Sequence, residues 1–287
     1  MRSTTGIDDN TNMELTVQIF SGGFLEKAAP YDISYAIIEE KLNKVLPQLP
    51  VTKLIMGWAQ DKELYEKTAA YLAKRNIDFY LWFPVFSETG TVKNLNALVD
   101  FEDRHIKNCE KHGEEDFSFC CPSGGQNIEK ILDIFEEQFV SLPFKGIFLD
   151  RIRYPSFASG QRFGHGFKSV FSCFCPRCIK IYKKENLDVE LLKTILLQPR
   201  YGSDGNPAPL GITGYRGNGE YAFNEPIISD FFKIKAKIIF QSVERICRYF
   251  RNKNYRIGLD VFAPFLSPFV GQNLKALSGL CDFIKPM

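Results

Sequence analysis

Apolar residues fall along this chain in two alternating patterns: short continuous runs, and longer stretches in which they recur every three or four positions. The continuous runs are LTVQIF (15–20), TKLIMGW (52–58), IDFYLWFPVF (77–86), FSFCCPSGG (117–125), GIFLDRIRYP (146–155), YRIGLDVFAPF (255–265) and CDFIKPM (281–287). They predict seven strands. Because apolar positions are continuous rather than alternating, both faces of each strand are covered, which is the signature of a parallel sheet. The periodic stretches predict helices over 32–46 with Asp32 as N-cap, over 62–76 capped by Asp61, and over about 127–140, 227–252 and 273–280. Residues 91–116 read either as a helix closing at Gly113 or as a long loop holding a short one.

Strand and helix alternating in this way predict an α/β protein, and specifically a (β/α)8 TIM-type barrel. An open doubly wound sheet is disfavoured because no Gly-rich dinucleotide turn follows the first strand. The last run stops at Met287 within the seventh strand, so the expectation is a barrel truncated there; an unpaired barrel edge forgoes ladder hydrogen bonds. Residues 1–13 are polar and aperiodic and predict a disordered tail, leaving 14–287 as the barrel domain. Within it lies a long excursion at about 156–226, rich in Gly, Pro, Ser and Tyr, with a helical patch at 185–198. Segments of this length inside a compact domain are usually functional or form a subdomain.

Parallel barrels place their sites at the C-terminal strand ends, so polar residues there carry the chemistry. The strands nominate Ser21, Trp58, Gln60, Trp82, Glu88, Ser123, Asp150, Arg153, Tyr154, Asp260 and Lys285. Asp150 stands out because it follows Gly-Ile-Phe-Leu with no turn residue between, which puts a carboxylate on a buried strand end. Arg151 or Arg153 offers the bidentate partner that would keep it ionised, either for catalysis or as a salt bridge tying the loop to the rim. Asp260 interrupts a second apolar run, and Glu88 sits one loop step past the third strand. Paired carboxylates are what glycosidic bond cleavage requires: one protonates the leaving oxygen, the other attacks or activates water. Asp150 with Asp260 or Glu88 is therefore the candidate catalytic pair. Arg153, Tyr154, Trp58, Trp82 and Lys285 are the candidate substrate-binding residues, although aromatics in a Phe-rich barrel also serve its core.

The second feature with chemistry is Cys173-Phe174-Cys175-Pro176-Arg177-Cys178. Three thiols this close fold around a tetrahedral zinc when a fourth ligand arrives, and Cys121, Cys120 and His165 are the candidates. The alternatives are packing thiols and a redox or iron–sulfur role. Radical enzymes on barrel folds use Cys-x-x-x-Cys-x-x-Cys early in the chain, and this spacing and position differ. Cys109, Cys247 and Cys281 read as ordinary buried thiols, and His105 and His112 as surface residues.

Composition narrows the partners. A formal net charge of +2 gives no general attraction to phosphates or anionic lipid, so nucleic acid is not expected. There is no apolar window long enough to span a membrane and no signal-like N-terminus, so the expectation is a cytoplasmic chain without membrane partners. The sequence leaves the oligomeric state open.

GIFLDRIRYPS, the FSCFCPRC segment, and the later GLDVFAPF, VGQNLKAL and CDFIKPM resemble the glycoside-hydrolase-like (β/α)8 barrel proteins. These carry a strand-end motif of the form hydrophobic-Asp-Tyr-Ile-Arg-Tyr/Phe-Pro and a later strand ending in Pro-Met. The resemblance runs from about Leu15 to Met287, and Arg151 stands where an aromatic is commoner. It implies that Asp150, Arg153 and Tyr154 line a sugar-facing pocket. The function expected is hydrolysis of a carbohydrate through a carboxylate pair with no cofactor for catalysis and a possible structural zinc. The alternatives are a non-catalytic glycan-binding barrel, or a metal- or thiol-dependent protein using residues 173–178.

Overall fold

The computed structural model describes residues 14–20, 33–57, 61–87, 95–106, 119–157, 166–198, 211–215 and 219–287. In chain order the elements are β1 (Leu15–Phe20), α1 (Tyr35–Val45), β2 (Val51–Gly57), α2 (Lys62–Ala73), β3 (Asp78–Pro84), β4 (Leu98–Val99), β5 (His105–Ile106), α3 (Gly125–Gln138) and β6 (Gly146–Asp150). There follow α4 (Gly166–Val170), α5 (Pro176–Lys184), α6 (Val189–Leu197), β7 (Ile212–Tyr215), β8 (Tyr221–Phe223), α7 (Pro226–Asn252), β9 (Arg256–Val261), a 3₁₀ turn (Ser267–Val270), α8 (Leu274–Ser278) and β10 (Phe283–Pro286). Asp61, Asp188 and Asn273 cap their helices by accepting from the backbone N–H groups of Leu64, Leu191 and Ala276, whereas α1 starts at Tyr35 with Ser34, and not the expected Asp32, at its N-cap and no side-chain cap bond.

Six strands form one curled parallel sheet in the order β1-β2-β3-β6-β9-β10. The fold is α/β and TIM-like, as the alternation predicted. One expected strand is corrected. The described part of 117–125 does not enter this sheet, and β3 pairs directly with β6. Phe119 and Cys120 instead make single antiparallel bridges to Ser87 and Ala97. Pro122 and the α3 N-terminus follow at once, leaving the segment no length in which to build a ladder. In the stretch whose structure the sequence left open, β4 and β5 form a two-stranded hairpin, and 107–118 lies outside the described residues.

The register explains how the two faces of the sheet fill. On one face Leu81, Phe83, Ile147, Leu149, Ile257 and Leu259 are fully buried, with the Phe83 ring edge-on to Phe135 of α3 and Phe250 of α7. The other face carries Tyr80, Trp82, Phe148 and Phe283. Phe283 stacks on Phe148 and lies edge-on to Tyr80. Two glycines make room for this aromatic layer: a Cβ on Gly146 would come within 2.3 Å of the Tyr80 ring, and one on Gly258 within 2.4 Å of Phe283 and 2.7 Å of Phe148. Alternating large and small inward residues is how a barrel interior closes. One layer further along the strands, on the same face, the residues are charged.

Candidate active site

Pro84 pairs with Asp150 across β3 and β6, and Asp260 with Lys285 across β9 and β10. Between these pairs, β6 and β9 align Leu149 with Leu259, and Asp150 and Asp260 each follow by one residue. The two carboxylates therefore sit side by side at neighbouring strand ends, above the aromatic layer. Adjacent strands lie about 4.8 Å apart.

The two acids have different surroundings. Asp150 Oδ2 accepts from the indole Nε1 of Trp82 at 2.9 Å, and its Oδ1 accepts from the backbone N–H of Arg151. Arg151 takes a left-handed backbone conformation (φ 53°), which turns that N–H back onto the carboxylate it follows. Its guanidinium donates to Ser87 Oγ at 3.0 Å and lies 5.6 Å from the Trp82 ring. Asp260 is 3 % exposed; Lys285 Nζ donates to its Oδ2 at 3.3 Å, and its Oδ1 has no protein partner among the described residues. Burial, and then the Asp150 charge, push the Asp260 carboxyl up to about 7; Lys285 and Arg153 oppose them. One carboxyl thus holds its proton near neutrality beside another that accepts two N–H donors.

Arg153 is buried, donates to the Tyr154 carbonyl, and lies 4.4 Å from the Phe262 ring and 4.8 Å from Phe119. Tyr154 is fully buried beneath Lys235 of α7, whose Nζ is 4.0 Å from the ring centroid. Trp82 is 1 % exposed, with Phe20 edge-on to it at 5.3 Å. Ser21, Trp58, Gln60, Glu88, Cys109, His112 and His165 lie outside the described residues.

Gln272 was not foreseen. It is 2 % exposed; its Oε1 accepts from Phe262 N–H at 2.8 Å, and its Nε2 points to the carbonyls of Asp260 and Ile152 at 3.5 Å. It ties the chain leaving β9 to the chain leaving β6. In the sequence, Gly-Gln-Asn reads as an ordinary polar turn, and no periodicity marks the amide as buried. Beyond Gln272 opens a cavity of about 260 Å³ between α7, α8 and the β7–β8 hairpin, walled by Tyr221, Phe223, Phe232 and Phe269.

The cysteine expectation finds its fourth member. Cys121, Cys173, Cys175 and Cys178 bring their sulfurs within 4.8 Å of one another, an arrangement able to hold a metal ion. Cys121 Sγ is 3.5 Å from Cys178 Sγ and 3.7 Å from Cys175 Sγ. Ser123 Oγ stands 3.0 Å from Cys121 Sγ and 3.2 Å from Cys178 Sγ. The backbone N–H groups of Val99 and Cys175 donate to Cys173 Sγ at 3.3 and 3.4 Å. The neighbouring thiols, Cys121 first, hold Cys175 well below the usual thiol range, while burial holds Cys173 well above it. Lys235 is fully buried nearby and donates to the Val170 carbonyl; burial lowers its ammonium to about 7, against the pull of Cys173 and Cys178. Cys247 and Cys281 stand apart, their thiols raised by burial to about 12 and 11.

No protein-family model matches the chain, and no curated protein sequence does. Two solved structures share its fold. The glycoside hydrolase domain of PgaB (BpsB) from Bordetella bronchiseptica superposes with a TM-score of 0.56 at 13 % identity, over 95 % of this chain and 73 % of that one. The catalytic domain of β-amylase from Paenibacillus polymyxa superposes with a TM-score of 0.55 at 12 % identity, over 95 % of this chain and 76 % of that one. The chain therefore has the fold of glycoside hydrolase domains. No helix among the described residues is long and apolar enough to cross a membrane.

Proposed function

We propose that the protein is a glycoside hydrolase that cleaves a carbohydrate with Asp150 and Asp260. The observation that carries this reading is their juxtaposition, one carboxyl protonated near neutrality and the other held by two N–H donors. Two carboxyls in different surroundings can divide the work into acid and anion. Asp260 gives its proton to the leaving oxygen as the glycosidic bond breaks. Asp150 attacks the anomeric carbon, and water then releases the sugar while returning a proton to Asp260. Neighbouring strand ends favour a short carboxyl separation, the arrangement retaining enzymes use. Lys285 and Arg153 flank the acids and Trp58 is the candidate stacking residue, whereas the fully buried Tyr154 is a packing residue beneath Lys235. Glu88, one residue past Ser87, is the alternative partner to Asp150. The shared fold with two glycosidase domains agrees with this reading.

Catalysis then needs no cofactor. We assign the four cysteines a structural zinc, because a tetrahedral site with Zn–S of about 2.3 Å has S–S edges of about 3.8 Å, close to the 3.5 and 3.7 Å found.

The test is release of sugar from a panel of aryl glycosides and oligosaccharides, followed by NMR of the first-formed anomer. Asp150→Asn and Asp260→Asn should each lower turnover by at least 10³-fold. If Glu88→Gln abolishes turnover and Asp260→Asn spares it, the pair is misassigned. Saturable binding without turnover of any glycan would leave a glycan-binding barrel.

A further inference from the structure

The cysteine cluster joins segments far apart in sequence: 54 positions separate Cys121 from Cys175. Cys173 and Phe174 reach the β4–β5 hairpin through the Val99 N–H to Cys173 Sγ and the Phe174 N–H to Val99 carbonyl bonds. Cys121 N–H donates to the Asn96 carbonyl, and Asn127 at the start of α3 holds both Asn96 and Cys121. Three loop segments at the same end of the sheet therefore converge on four sulfurs.

A continuous set of bonds runs from there to the candidate acids. Cys120, next to Cys121, donates its N–H to the Phe86 carbonyl, and Phe119 bridges Ser87. Ser87 Oγ accepts from Arg151, whose backbone N–H holds Asp150 Oδ1. Val85 and Phe86 N–H donate in turn to the carbonyls of Asp150 and Arg151. The left-handed turn at Arg151 is thus gripped from the side on which Cys121 is anchored.

We propose that metal bound by Cys121, Cys173, Cys175 and Cys178 acts as a clasp that sets the Arg151 turn, and with it the orientation of Asp150, through residues 119–121 and 86–87. The inference rests on the zinc reading of the cluster and is independent of the hydrolase reading. Bound metal converts a loose set of thiols into six fixed S–S edges, which is why such sites contribute folding energy outright.

The experiment uses the full chain purified under reducing conditions. Elemental analysis should give one zinc per chain, and cobalt exchange should produce thiolate-to-cobalt charge-transfer bands. Chelation, or Cys175→Ser with its half-exposed ligand, should raise amide exchange at Val85, Phe86 and Arg151 by at least tenfold. Amides of the β1–β2 ladder should be unchanged, and added zinc should restore protection to the chelated protein. Zinc that binds and leaves without altering exchange at those amides overturns the clasp and spares the zinc site. Equal acceleration in the β1–β2 ladder overturns it too, since the ion would then stabilise the whole domain. Absence of zinc, or an iron–sulfur chromophore, overturns the zinc reading and the clasp together.

Discussion

The indole N–H of Trp82 donates to Asp150 Oδ2 at 2.9 Å, across the β3–β6 ladder. A residue nominated for stacking on a sugar thus addresses the carboxylate itself. Trp82→Phe keeps a ring in the layer and removes the donor. A hydrogen bond to a charged group contributes about 1.5–3 kcal/mol, so turnover should fall by roughly 10- to 100-fold while circular dichroism stays native. Unchanged turnover would show that Asp150 needs no help from the indole.

Asp260 predicts the pH behaviour. As the proposed acid it must carry its proton, so kcat/KM should fall as pH rises through about 7. Stability has the same sign. The unfolded chain ionises Asp260 near pH 4 and the folded chain near 7, so between these values the unfolded state binds fewer protons and stability declines as pH rises. The full effect is of order 2–4 kcal/mol. Denaturant titrations at pH 5 and pH 8 should show the decline, and Asp260→Asn should lose most of it. A slope the variant retains would assign it to other groups.

Gln272 should behave as a positioning residue. Gln272→Leu removes the acceptor for Phe262 N–H, and a buried donor left unpaired costs about 1–3 kcal/mol. Since Gln272 also reaches the Asp260 and Ile152 carbonyls, the pH at which kcat/KM falls should move as well. A stability loss with an unmoved pH profile would confine the residue to packing.

Gly258→Ala tests the aromatic layer beneath the acids. Its Cβ would meet both Phe148 and Phe283 within 2.7 Å, and overpacking of this kind costs about 1–3 kcal/mol. The midpoint of urea unfolding should drop accordingly, whereas a neutral outcome would mean that the rings can slide apart.

Much of this arrangement was legible in the sequence. The run Gly146 to Asp150 ends in an acid without a turn residue, and the strand ends there. Asp61 starts its helix as its side chain dictates. Local chemistry is enough in both cases. Residues 117–125 show where it is not: Phe119 and Cys120 are as apolar as a core strand, but their partners Ser87 and Ala97 belong to loops, and no local pattern encodes that pairing. The same limit kept the fourth ligand open among Cys120, Cys121 and His165. Gln272 was missed because a buried amide and a turn amide look alike in sequence; only the carbonyls it reaches tell them apart.

Asp150 and Asp260 stand on adjacent strands of one hydrogen-bonded ladder rather than on the loops around them. Their separation is therefore a lattice constant of the sheet. Insertions and substitutions in the surrounding loops can re-tailor which ligand enters and how long it stays. The spacing of the two strand ends does not move with them, so under the proposed pairing specificity can drift while the frame that carries both carboxyls is kept.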